Sequence, residues 1–122
     1  MLLDSNVIIF AARPEHGDLR AFIAQHSPAV SAVSYVEFLG YHKHSESERA
    51  LFESFFAAAN VLPLTDEVLR EAIRLRQQRK MSLGDALFAG TALIHGLKLV
   101  TSNTADFRWI PGLTLIDPFA AT

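Results

Sequence analysis

The chain contains no cysteine. Disulfides, thiolate zinc sites and a cysteine nucleophile are therefore excluded, and a reducing compartment suits the composition. Long apolar runs are missing as well. The longest, Val7 to Ala12, has six residues, whereas a bilayer span needs about 20, so no membrane association is expected. Glycine (6) and proline (5) are few and scattered, and there is no repeat, low-complexity tract or linker. Neither charge sign dominates: 11 Lys and Arg against 13 Asp and Glu leave −2, so bulk charge does not announce a partner for polyanions. The opening Met1-Leu2-Leu3-Asp4 has no basic stretch and meets an acid at once. A secretory leader is not expected, and a cytoplasmic location is.

What is present is material for a core. Half of the 122 residues are apolar and 20% are charged, which predicts a single globular domain over 1–122 that buries roughly two thirds of its unfolded surface. Short apolar strands are expected at Met1–Asp4, Ala29–Val33, Val61–Leu64, Lys98–Thr101 and Leu113–Asp117. Helical spacing falls between them, at Ser5–Phe10, Asp18–Gln25, Ser34–Tyr41, Ser47–Ala59, Asp66–Lys80 and from Ser82 or Leu83 to His95. Pro63 argues for an edge strand, Thr65 for a helix cap and Gly96 for a helix stop. The alternation predicts an α/β fold with a mostly parallel central sheet flanked by helices. In such sheets sites form beyond the carboxyl ends of the strands, where the strand order reverses.

Most of the acids lie in polar surroundings, as solvated helix faces and helix starts require. Four do not: Leu3-Asp4-Ser5, Val36-Glu37-Phe38, Gly84-Asp85-Ala86 and Ala105-Asp106-Phe107. Asp117, before Pro118, is a fifth. No base lies within three residues of Asp4, Glu37 or Asp85, and Asp106 has only Arg108. Each acid has an ordinary explanation. Asp4 fits a helix N-cap, Ser34–Glu37 and Ser82–Asp85 have capping-box spacing, Asp106 fits an Asx-turn, and Asp117-Pro118 opens a turn. Together, at strand ends and helix starts of one small α/β domain, they point to a shared carboxylate site. Such a cluster without nearby cations calls for a hard divalent ion, which prefers oxygen ligands.

Four segments in order carry a resemblance: Leu3-Asp4-Ser5-Asn6-Val7-Ile8, Ser31 to Phe38, Leu83 to Ala92, and Leu99 to Phe107. The chain resembles PIN-domain ribonucleases, specifically the VapC-like toxins of type II toxin–antitoxin pairs, over essentially its whole length. The resemblance implies metal ligands at Asp4, Glu37, Asp85 and Asp106, a polar assistant at Asn103 near Thr101 and Ser102, and Asn6 beside Asp4. It implies an Mg²⁺- or Mn²⁺-dependent endoribonuclease, a small VapB-like antitoxin occupying the acidic site, and a homodimer. Metal-held carboxylates would activate water and hold the scissile phosphate, with no protein nucleophile needed. Ser102 departs from the family, standing where a basic residue is common. Phe88 and Gly90 replace the usual Ile and Ala, which concerns packing.

Two rival readings belong beside this one. A non-catalytic PIN-like binding module would keep the acids for folding or partner contact. A phosphatase using Asp4 as nucleophile would need a second acid two residues on, where Asn6 stands. Arg70, Arg74, Arg76, Arg79 and Lys80 form a basic run that suits an RNA backbone, or a solvated face paired locally as Glu67–Arg70 and Glu71–Arg74. Phe52, Phe55 and Phe56 with Leu51 read as core, the five histidines as surface or helix-end residues, and Trp109 as packing under the loop after Asp106.

Overall fold

The computed structural model describes residues 1–119. Five strands and seven helices follow one another as β1 (Leu2–Leu3), α1 (Ser5–Ala11), α2 (Gly17–His26), β2 (Ala29–Ser31), α3 (Ala32–Leu39), α4 (Glu46–Ala58), β3 (Asn60–Leu62), α5 (Asp66–Gln78), α6 (Leu83–His95), β4 (Leu99–Val100), α7 (Thr104–Phe107) and β5 (Leu115–Ile116). Every strand pairing is parallel, in the order β3-β2-β1-β4-β5. The chain thus builds outward from β1 in one direction, then returns to add β4 on its other side. That reversal opens a crevice at the carboxyl ends of β1 and β4.

Strand side chains alternate between faces, and here each pair divides between two cores. Leu3, Val30 and Val100 face a core completed by Val7 and Ile8 of α1, Phe38 of α3, and Phe52 and Phe56 of α4. Leu2, Ala29 and Leu99 face the other, with Leu75 of α5, Phe88 and Ala92 of α6, and Phe107 of α7. Both sheet faces are covered, so these three strands are apolar throughout rather than alternating. The phenylalanines of α4 are core as the sequence suggested, although Leu51 beside them is exposed.

Local chemistry explains most boundaries. Ser45 and Glu48 close a capping box on α4, and Thr65 caps α5 by accepting from the Val68 amide at 3.3 Å. Gly96 ends α6 in the left-handed region at φ 63°, where glycine has no Cβ to clash. β3 lies at the sheet edge with Pro63 just beyond it. Gly90 faces α5 so closely that a Cβ would stand 3.1 Å from the Val68 carbonyl oxygen and 3.3 Å from the Ala72 amide nitrogen. Glycine there seats α6, and with it Asp85, against its neighbour.

The strands are shorter than the sequence suggests and most element ends move by one or two residues; two differences bear on the site. β2 ends at Ser31, not Val33, because the Ser31 side chain accepts from the Val33 amide at 3.1 Å and starts α3 two residues earlier than expected. The four-residue α7 was not anticipated, being too short for a periodic signal. No helix among the described residues is long and apolar enough to cross a membrane.

Candidate active site

Asp4 follows β1 and occupies the N-cap position of α1, yet its side chain makes no capping hydrogen bond. Its Oδ2 instead accepts a hydrogen bond from the Thr101 hydroxyl at 2.8 Å. Thr101 immediately follows β4, so the bond ties the two strand ends that flank the crevice. Asp4 is 3% exposed and Thr101 fully buried. Burial pushes the Asp4 carboxyl above its ordinary value and the charge of Glu37 adds to this, while Thr101 and the amides of Asn6 and Ser5 oppose it. Thr101 Oγ1 in turn accepts from the Asn103 amide at 3.0 Å, fixing the start of the loop that carries Asn103.

Glu37 reaches the site from α3, and the capping-box reading of Ser34–Glu37 is overturned. The helix starts at Ala32, so Ser34 is a buried residue inside it and not a cap. Ser5 Oγ donates to Glu37 Oε1 at 2.9 Å, and the Ser34 hydroxyl lies 2.8 Å from Ser5 Oγ. Since Ser5 has one proton to give, Ser34 donates to Ser5. A two-hydroxyl relay therefore holds the exposed Glu37 carboxylate beside α1.

Asp85 sits in the first turn of α6, where its amide donates to the Ser82 side chain at 3.1 Å. Half of the capping reading is correct, since Ser82 is the cap, but the Asp85 carboxyl has a different environment. Burial raises its pKa first, the charge of Asp4 second, and the charges of Asp106 and Glu37 add further; a hydrogen bond with the Ser82 side chain opposes them. Asp106 lies exposed on α7, and the Asx-turn expected there is not among its hydrogen bonds. Its amide donates to the Asn103 carbonyl at 3.0 Å, and its carbonyl accepts from Trp109 Nε1 at 3.1 Å. Asn103 is exposed at the N-cap position of α7 with its side chain free of any capping bond. Asp117 behaves as the turn residue anticipated, accepting from the Phe119 amide at 2.9 Å.

Four acids from β1–α1, α3, α6 and α7 thus act on one another electrostatically through Asp85. Among the described residues no Lys, Arg or His forms an ion pair with any of them; the one ion pair is Arg74–Glu71 on α5. Among the described residues no three acids or histidines stand ready to hold a single ion with the side chains as they are. The convergence is electrostatic rather than a closed cage. A groove lined by Ser5, Asn6, Glu37, Ile9, Tyr41 and Leu51 leads away from the acids. It meets a more apolar hollow lined by Ile8, Ile23, Leu51 and Phe55.

The PIN domain profile matches residues 1–113. The chain belongs to the PIN-domain family. Within that family it is 30% identical over 128 residues to the tRNA(fMet)-specific endonuclease VapC of Shigella flexneri, covering 95% of this chain and 96% of the relative. A protein of the same name from Salmonella typhimurium is 29% identical. A toxin–antitoxin complex from Klebsiella pneumoniae contains a chain 28% identical with a TM-score of 0.76, each chain covered to 96%. DNA-bound VapBC from Salmonella typhimurium gives a TM-score of 0.85 at 24% identity, with 96% of each chain covered. This PIN domain is therefore VapC-like in sequence and in fold.

The sequence singles out the four acids but not the residues that hold them. Ser34 has the spacing of a cap, and Ser5 stands only as the neighbour of an acid. Thr101 reads as an assistant to Asn103, and its place at the end of an apolar strand is the one signal of its contact with Asp4.

Proposed function

We propose that this PIN domain is an Mg²⁺- or Mn²⁺-dependent endoribonuclease, the toxin of a toxin–antitoxin pair. One observation carries the reading: Asp4, Glu37, Asp85 and Asp106 come from four separate elements, repel one another through Asp85, and have no paired cation among the described residues. Carboxylates are not assembled this way for stability, because like charges in a part-buried site raise one another's pKa. An all-oxygen, strongly anionic donor set fits a hard divalent ion. Asp4, Glu37, Asp85 and Asp106 would hold it, and when bound it would stabilise the charge that develops on the scissile phosphate.

The rest of the chemistry falls to the chain itself. Thr101 fixes the Asp4 carboxylate by a buried hydrogen bond, and Ser5 with Ser34 aims Glu37. Such outer contacts set ligand orientation and are felt in affinity. Asn103, exposed and uncommitted, offers a neutral amide donor to a phosphate oxygen near Asp106. Asp4 and Asp85, both raised chiefly by burial, hold a proton to higher pH than an ordinary carboxyl in the metal-free site. The rival binding module keeps one point in its favour, the absence of a closed ion cage among the described residues.

The substrate named for the 30% identical relative makes tRNA(fMet) the first RNA to try. Incubation with purified transfer RNA, followed by 5′-end sequencing, should give Mg²⁺-dependent cuts that disappear in EDTA and in Asp85→Asn. Cuts equally strong in the variant, or none with metal, would refute the nuclease. For the partner, a VapB-like antitoxin would lay an apolar segment in the groove from Ile9 to Leu51 and set an Arg or Lys against the acids, where guanidinium replaces the metal's charge. The homodimer and the cytoplasmic location belong to the same proposal.

A further inference from the structure

Of the five bases in the run from Arg70 to Lys80, Arg74 is taken by Glu71 and the Glu67–Arg70 pair does not form among the described residues. Arg76 donates through Nε to the Met81 carbonyl at 3.3 Å and braces the link between α5 and α6. Arg79 differs from these. It ends α5 with an extended backbone, φ −160° and ψ 149°, and its side chain leaves its own helix. Its guanidinium carbon lies over the Trp109 ring, 5.5 Å from the centroid. Trp109 is anchored twice, by packing on the core beside Phe107 and by its Nε1 bond to the Asp106 carbonyl. Arg79 is exposed and forms no ion pair among the described residues. It is thus a cation held in place two contacts from an acid of the site.

We propose that Arg79, held over Trp109, binds a phosphate of the RNA strand next to the cleavage position. This rests on the nuclease reading and adds a substrate-binding residue to it. The placement has a physical purpose. Four carboxylates repel a polyanion, so a strand entering this site needs a fixed cation on its flank. Arg offers a planar fork of donors suited to phosphate, and the indole restrains it while leaving donors to solvent. Lys80, also exposed, extends the positive edge along the same link. An acidic peptide would be the other polyanion for Arg79, but it offers no phosphodiester for the neighbouring acids and their ion to act on.

The test uses the full chain in an Asp85→Asn background with Mg²⁺, and a fluorescein-labelled single-stranded RNA 20-mer of random sequence. Arg79→Gln should weaken binding about tenfold and reduce the slope of log Kd against log salt by about 0.7, one phosphate contact on a single strand. Arg49→Ala, which removes an equal charge from the exposed face of α4, should change neither. In the Asp85 parent, Arg79→Gln should raise KM for RNA and leave kcat. Wild-type affinity and slope in a folded Arg79→Gln overturn the proposal while the nuclease stands, and so does a loss confined to kcat. Should Arg79→Gln not fold, Trp109→Leu carries the test. It keeps every charge, so the slope should hold while affinity falls severalfold, and unchanged affinity overturns the proposal. A glutamate 20-mer bound as tightly as RNA overturns the assignment to RNA. If the parent cleaves no RNA and the Asp85→Asn protein binds none, the nuclease reading fails and takes this one with it.

Discussion

Thr101 donates its hydroxyl to Asp4 at 2.8 Å across 97 positions of sequence. Both side chains are buried at adjacent strand ends, β1 and β4, where the strand order reverses. The bond does two things at once. It ties the strand ends that flank the crevice, and it gives a buried carboxylate the donor that burial demands.

Thr101→Val keeps the shape and removes the donor. The buried Asp4 oxygen then loses its partner, which should cost about 1–3 kcal/mol of stability in metal-free protein at neutral pH. Urea unfolding in EDTA checks the value. A loss below about 0.5 kcal/mol would mean that water replaces the hydroxyl without penalty.

Ser5→Ala frees Glu37 and leaves Ser34 without an acceptor. Activity should fall about tenfold, the scale usual for residues that orient metal ligands. Stability should change little, because Ser5 is only part-buried. Initial cleavage rates against Mg²⁺ concentration should show the apparent metal affinity falling with the rate. A tenfold loss unaffected by Mg²⁺ would place Ser5 outside the control of Glu37.

Stability of the metal-free protein should depend on pH through Asp85, whose folded pKa is raised chiefly by burial and then by Asp4. An unfolded carboxyl titrates near 3.8. Below that value Asp85 is protonated in both states and its folded environment costs nothing. As pH rises through the raised folded value, the folded state must ionise against its neighbours and stability is lost. Asp85→Asn never ionises. Its Tm in EDTA should match wild type near about pH 4 and exceed it at about pH 7. A Tm difference constant across that range would mean that Asp85 feels no field from the other acids.

Metal should stabilise the folded protein by linkage, by about 2.7 kcal/mol at a hundredfold excess over Kd. Asp4→Ala and Asp85→Ala should lose most of that gain, and Asp117→Ala should keep it. If the first two acids served as caps alone, each alanine would cost about 0.5–2 kcal/mol whether or not metal was present. Thermal unfolding of the four proteins in EDTA and in excess Mn²⁺ separates the outcomes. Equal destabilisation in both buffers, with no metal shift in wild type, would sink the metal site.

The elements and the acids were legible in the sequence because local rules govern both. Apolar strands alternate with amphipathic helices, Gly96 stops α6, Pro63 marks the edge, and four acids without nearby bases stand out against an apolar background. Ser31 and Ser34 show where local rules end. Each can cap a helix, and the choice was made by β2, whose pairing with β3 runs to Ser31↔Leu62 and so makes Ser31 the last strand residue. Ser34 then turns inward to Ser5 rather than to a backbone amide. Nor does local spacing bring Thr101 to Asp4, or Arg79 to Trp109. The first contact needs β4 to pair with β1, and the second needs α5 to end beside the loop after α7. Periodicity and capping act over a few residues, so a single chain reveals them. Which hydroxyl serves which carboxylate depends on strand order, a property of the packed sheet alone.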